Sequence, residues 1–236
     1  MEVEDTLDLP LRWGRPRLIF VNSMSDLFHE DLNPAYVKRV FEVMRQASRH
    51  VFQVLTKRTK YMCEMVNSMT LDNGQNLGKD PLENVWLGTS IEDEEAAQAR
   101  SYWLAQTSAA VHFWSAEPLI GEIKWDNHLK AFAGGSKKVW MIFGGESQTG
   151  CRPMNPDWVR SGIKSCREHG IVPFVKQMGT IWAQANGASS RAGEILEEWP
   201  EDLRVREYPV DLATRLAYVK KIKGKAEKPL RLNILD

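Results

Sequence analysis

Charged and small polar residues recur in one position along this chain, directly after short apolar runs. The run from Leu18 is followed by Asn22, Ser23 and Asp26, and the run from Val51 by Lys57 and Arg58. Glu92 follows the run from Val85, and Ser115 and Glu117 close the run from Val111. Gly144, Gly145, Glu146 and Ser147 end the run from Val139, and Lys176 and Gln177 the run from Ile171. Glu117 and Glu146 could hold cationic or hydroxyl groups of a ligand. Lys57, Arg58 and Lys176 suit a carboxylate or phosphate, and Asn22, Ser23 and Asp26 offer further polar contacts. Pro118 keeps Glu117 away from helical angles, so that carboxylate is directed. Gly144 and Gly145 let backbone turn or approach a ligand closely.

Plainer roles compete for several of these residues. Lys57 and Arg58 could pair with a neighbouring carboxylate. Ser90 and Asp93 read as a capping box opening an Ala-rich helix that carries Ala96, Ala99, Trp103 and Leu104, which leaves Glu92 as a dipole-favoured charge or a site residue. Arg12, Arg15 and Arg17 around Trp13 read as a solvated approach to the first strand or as a nucleic-acid arm. Trp182 and Trp199 lie in loop-like surroundings where a surface role is open.

The elements that must position these groups follow from the same pattern. Apolar runs without alternation suit strands covered on both faces, and their starts lie 26 to 34 residues apart, one strand and one helix each. Asn33-Pro34 and Asn155-Pro156 are matching helix starts, the first leading to Val37, Val40, Phe41, Met44 and Ala47 on one face. Residues 71–81 and 124–137 read as polar connections. Polar groups after all six strands favour an α/β parallel (β/α) barrel, incomplete, over an open sheet, which needs fewer of them. The expected organisation is an approach segment over 1–17, a barrel core over 18–182, and a C-terminal extension over 183–236 with one helix (Leu212, Leu216, Val219) and a basic tail.

Composition bounds the function. Formal net charge is zero over 236 residues, so any polyanion site must be a local patch. The N-terminus lacks the parts of a signal peptide and no apolar run reaches a membrane span, which reads as cytoplasmic with no membrane partner. The three cysteines, Cys63, Cys151 and Cys166, form neither a disulfide framework nor a metal motif. No metal ligand set is predicted from spacing.

The strand-end phrases FVNSMSDLFHEDL, LTKR, NVWLGTSIED, SAEPLIGEI, FGGESQTGCRPM, VPFVKQMG and WPEDLRVREYP together resemble the phage-associated gp-thirty-seven/gp-sixty-eight family, over roughly residues 9–209. That resemblance implies a divergent radical S-adenosylmethionine barrel (TIM-like), binding S-adenosylmethionine as a small-molecule cosubstrate and an iron–sulfur cluster. Nucleic acid is an implied substrate. Complete members of that family carry an N-terminal Gly-Cys followed by Cys-x-x-Cys-Tyr-Ala, and in this sequence no cysteine precedes Cys63. The expectation is therefore a truncated, split or degenerate member that holds no cluster stably by itself, with a separate cysteine-bearing segment as one partner. A non-catalytic phage accessory or ligand-binding barrel subunit is the alternative, and a barrel enzyme using Lys176 or Glu146 in acid–base chemistry a third.

Overall fold

A computed structural model describes residues 4–21, 25–132, 138–209 and 230–232, with side chains described over residues 6–21, 25–132 and 138–209. Strands and helices alternate along it, the α/β class. Contacts divide the chain into two compact units. The first comprises Met1–Thr89, Gln106–His112 and Val210–Asp236, the second Ser90–Ala105 and Phe113–Pro209.

In the first unit β1 (Leu18–Val21), β2 (Val51–Thr56) and β3 (Val85–Ser90, whose last residue falls in the second unit) are parallel and adjacent in chain order. A short strand β7 (Leu230–Leu232) pairs in parallel with β1. Two short helices, α1 (Glu4–Leu7) and α2 (Leu9–Arg12), occupy the segment before β1 that the sequence left without periodicity. Helix α3 (Pro34–Gln46) starts as expected: the Asn33 side chain accepts from the Ala35 N–H at 2.9 Å. Its Val37, Val40, Phe41 and Met44, with Ala47 just after it, are buried. Helix α4 (Thr59–Ser68) buries Met62, Cys63 and Val66, so the methionines here serve as core filler.

In the second unit β4 (Val111–Ala116, whose first two residues fall in the first unit) lies beside β5 (Lys138–Gly144), and β5 pairs in parallel with β6 (Val172–Gln177). Helix α5 (Glu94–Gln106) buries Ala97, Ser101, Leu104 and Ala105. Of the residues expected on this helix, Leu104 is buried and Ala99 exposed, and the helix begins later than the capping box implied. Ser90 is the last residue of β3, and Asp93 is the residue that caps, its carboxylate accepting the Ala96 N–H at 2.9 Å. The predicted 124–137 connection contains α6 (Trp125–Leu129), with Trp125, Leu129 and Phe132 buried, so hydrophobic anchors interrupt its polar composition.

Helix α7 (Pro156–His169) is capped by Asn155 and ends at Gly170 in the left-handed region, φ 69°. It packs so closely on β5 that a Cβ at Gly162 would lie 2.4 Å from the Phe143 ring. After β6 comes α8 (Thr180–Ala185), and the chain then returns to β6. Val175 N donates to Val205 O at 2.7 Å, and the Trp140 indole N–H donates to Glu207 O at 2.9 Å. Residues 204–208 thereby cover the β6 edge, which would otherwise offer unpaired backbone groups. Trp199 is 2% exposed with its N–H on Gly193 O, so it is a core residue and not a surface one. The expected terminal helix at 212–219 and the basic tail lie outside the described residues. Among the described residues no helix is long and apolar enough to cross a membrane.

Candidate functional site

The polar residues at the strand ends assemble into one cluster in each unit. In the first unit Asp26 is the centre. Its carboxylate accepts from Thr56 Oγ1 at 2.7 and 2.9 Å, the Phe28 N–H at 2.9 Å, the Lys57 N–H at 3.2 Å and Arg58 Nη1 at 3.1 Å. Arg58 also holds Glu30 at 2.8 Å, and that bond is the largest cause raising its guanidinium above the ordinary value. A carboxylate with four donors is saturated. Asp26 therefore ties the ends of β1 and β2 together, and of the two roles open for Arg58, carboxylate pairing is the one observed. Lys57 is exposed beside it. Asn22 and Ser23 lie outside the described residues.

The second unit brings together Glu92, Ser115, Glu117, Gly144, Gly145, Glu146, Ser147, Lys176 and Gln177. Lys176 Nζ lies 2.6 Å from Glu117 Oε1, joining the ends of β6 and β4 across β5. Gly144 makes this crossing feasible. A Cβ there would sit 3.2 Å from the Glu117 side chain, so the end of β5 is kept bare for that carboxylate to lie over. Gly145 has a different reason: a Cβ would meet Met178 O at 2.4 Å, because the loops after β5 and β6 run backbone against backbone. Gly145 N donates to Gln177 O at 3.0 Å, and the Gln177 amide returns a bond to Gly145 O at 2.7 Å. Gln177 is thus a buried brace for this floor. Ser115, also buried, uses its carbonyl to accept the Ile91 N–H at 2.9 Å.

Glu146 projects from the floor and takes Arg152 bidentately, Nε at 3.0 Å and Nη2 at 3.1 Å, plus the Arg152 backbone N–H at 2.8 Å. The Arg152 side chain, followed by its N–H, holds the Glu146 carboxyl below the ordinary range. Arg152 is pushed up in turn, by Glu146 first and with Glu92 and Asp93 contributing through space. Glu92 receives Arg100 Nη1 at 2.8 Å, and its own carbonyl accepts the Ile120 N–H at 2.9 Å. Ser147 is half-buried next to Glu146.

Four carboxylates (Glu92, Asp93, Glu117, Glu146) thus face three cations (Arg100, Arg152, Lys176). The cluster carries one net negative charge among these residues, and its groups are partly exposed: Glu117 21%, Lys176 45%. Arg100 and Arg152 were not singled out in the sequence. Arg152 sits six residues after Glu146 in a glycine-containing loop, and Arg100 eight after Glu92, inside the helix that follows it. Those spacings were the available signal.

The cysteines do not fit an iron–sulfur cluster. Cys166 is fully buried on α7, where desolvation pushes its thiol far above the ordinary value, and Cys63 is buried on α4 beside the Asn67 amide, 3.5 Å away. Cys151 is half-buried in the loop after β5. Cluster ligation needs thiolates gathered at one point, and among the described residues no group of three or more His, Cys, Asp or Glu could hold a metal ion.

A family model described as "Protein of unknown function (DUF5131)" matches residues 1–226. No curated protein and no solved structure matches the chain.

Proposed function

The chain belongs to the DUF5131 family, and on the geometry of its second unit we propose that it binds a small ligand carrying an ammonium and a carboxylate at the carboxyl ends of β4, β5 and β6. The Glu117–Lys176 pair over the bare Gly144 carries this reading. An ammonium can replace Lys176 on Glu117 while the ligand's carboxylate takes the released lysine, so both charges stay paired throughout. The negative excess of the cluster favours a ligand with one further positive charge. S-adenosylmethionine, with an amino-acid end and a sulfonium, has this chemistry and agrees with the radical-SAM-like, incomplete-barrel reading of the sequence motifs. Glu117 would hold its ammonium and Lys176 its carboxylate, with Glu146 and Glu92 setting the local field.

No step is assigned through an iron–sulfur cluster, since the thiols of this chain do not suit one. What is proposed is therefore ligand binding, with a role in modifying nucleic acid shared with a cysteine-bearing segment or partner.

Calorimetric titration of S-adenosylmethionine tests the proposal. Saturable binding is expected, weakened about tenfold or more, the scale of one lost charge-assisted contact, in Glu117→Gln and in Lys176→Met. A half-exposed ion pair contributes only ~0.2–1 kcal/mol to folding, so both variants should melt close to the parent. No heat at millimolar ligand, or unchanged affinity in both variants, would sink the assignment.

A further inference from the structure

The amino ends of β1 and β2 carry a second charged region, on the edge of those strands opposite to Asp26, Lys57 and Arg58. Arg17 immediately precedes β1, and Arg49 and His50 precede β2. Arg49 donates from Nε to Trp13 O at 2.7 Å and from Nη2 to Leu11 O at 2.6 Å and Pro10 O at 3.1 Å, so it closes the end of α2. His50 completes the fastening: Nδ1 accepts the Arg17 N–H at 3.1 Å, which places the proton on Nε2 for Pro10 O at 2.9 Å. The segment 10–17 is therefore held in a fixed shape despite having only one turn of helix.

That fixed shape displays cations. The Arg17 guanidinium lies 4.7 Å from the centroid of the Trp13 ring, and its Nε is buried with no hydrogen-bond partner. Arg12 and Arg15 are exposed. Arg49 spends its donors on neutral carbonyls, which leaves its charge uncompensated. None of the four arginines has a carboxylate within ion-pair distance among the described residues. The positive field of Arg49 and Arg17 reaches His50, where it adds to burial in holding the imidazole below its ordinary value. In a chain of zero net charge, four arginines with no counter-ion among the described residues, around a half-exposed indole, make a local patch of positive charge.

We propose that Arg12, Arg15, Arg17 and Arg49 bind the phosphate backbone of a single-stranded nucleic acid, with Trp13 as the stacking surface for a base. Guanidinium groups match phosphate oxygens in pairs, which lysines do not. Duplex readout would need a helix or β-ribbon long enough to enter a groove, and α2 has four residues. Firm seating on a lipid surface takes inserted apolar side chains besides the charge, and among the described residues the large exposed ones are Tyr102, Ile181 and Tyr208, none on this segment.

Fluorescence anisotropy of the full chain with a fluorescein-labelled oligothymidine tests this. Four phosphate contacts at about 0.7 counter-ions each predict affinity falling about fifty-fold between 50 and 200 mM salt. The double variant Arg12→Glu/Arg15→Glu alters two exposed side chains that make no hydrogen bond among the described residues. It should keep the parental melting temperature, lose at least about tenfold in affinity at 50 mM salt, and reduce the salt effect to about seven-fold. No binding by the parent at 50 mM salt, equal binding by the variant, or tighter binding to a matched duplex or to phosphatidylserine vesicles would overturn the proposal. The outcome is separate from the fate of the second-unit site, because S-adenosylmethionine binding should be unchanged in this variant.

Discussion

Gly144 and Gly145 are neighbours with unlike tasks. At Gly145 the obstacle to a side chain is backbone, at 2.4 Å, which cannot swing aside; at Gly144 it is the end of the Glu117 side chain, at 3.2 Å, which can. Gly144→Ala should therefore leave the fold in place and shift Glu117 off the end of β5. The expected result is a melting temperature within a few degrees of the parent and S-adenosylmethionine affinity reduced about tenfold or more, read by calorimetry. Gly144→Ala binding as tightly as the parent would show that the carboxylate does not need its bare platform. Glu146 differs from Glu117 in being occupied from within its own loop, by an arginine that supplies both side-chain and backbone donors.

At the scale of elements, each strand delivers a polar end, but what those ends do depends on the element alongside. Where β1 and β2 finish, Thr56, Phe28, Arg58 and the Lys57 N–H saturate Asp26 and the cluster is a fastening. Where β4 and β6 finish, the partners belong to strands separated by β5, and the charges remain partly open to solvent. The helix α2 and the segment behind it are fastened by Arg49 and His50, and this fastening is sensitive to acid. His50 is held neutral by burial, with Arg49 and Arg17 adding repulsion, and its Nδ1 must stay unprotonated to accept the Arg17 N–H. Trp13 and Phe52 pack edge-on against the ring and offer no counter-charge. Its folded-state pKa lies below the ordinary 6.5, so the unfolded segment binds more protons. The stability it contributes is complete above pH 6.5 and is lost as pH falls from there through the folded value. Relative to the intrinsic rate, which itself falls with pH, hydrogen exchange of the Arg17 amide should speed up between pH 7 and pH 5, and this excess should vanish in His50→Gln. An excess unaffected by that substitution would place the acid sensitivity elsewhere.

For the molecule as a whole, the strands were legible because buried parallel strands are written as uninterrupted apolar runs. Asn33-Pro34 and Asn155-Pro156 marked helix starts because capping is a local rule. The positions of Glu117, Glu146 and Lys176 could likewise be read as strand ends. Their pairing could not: Lys176 and Glu117 lie 59 residues apart, and no local rule says which cation meets which carboxylate. The same limit hid the return of residues 204–208 to the edge of β6, whose bonds to β6 all end on backbone groups of that strand and so leave little periodic trace. Asp93 shows the opposite failure, a real cap assigned to the wrong position because Ser90 satisfied the motif from inside a strand.

A charged ligand received by the second unit on Glu117 and Lys176, as proposed, has a defined bound geometry. A crystal structure with S-adenosylmethionine measures this most directly. The ligand's ammonium nitrogen is predicted within about 3 Å of a Glu117 carboxylate oxygen, with its carboxylate beside Lys176 Nζ. Density for the ligand away from β4–β6, with the Glu117–Lys176 pair still closed, would contradict the account.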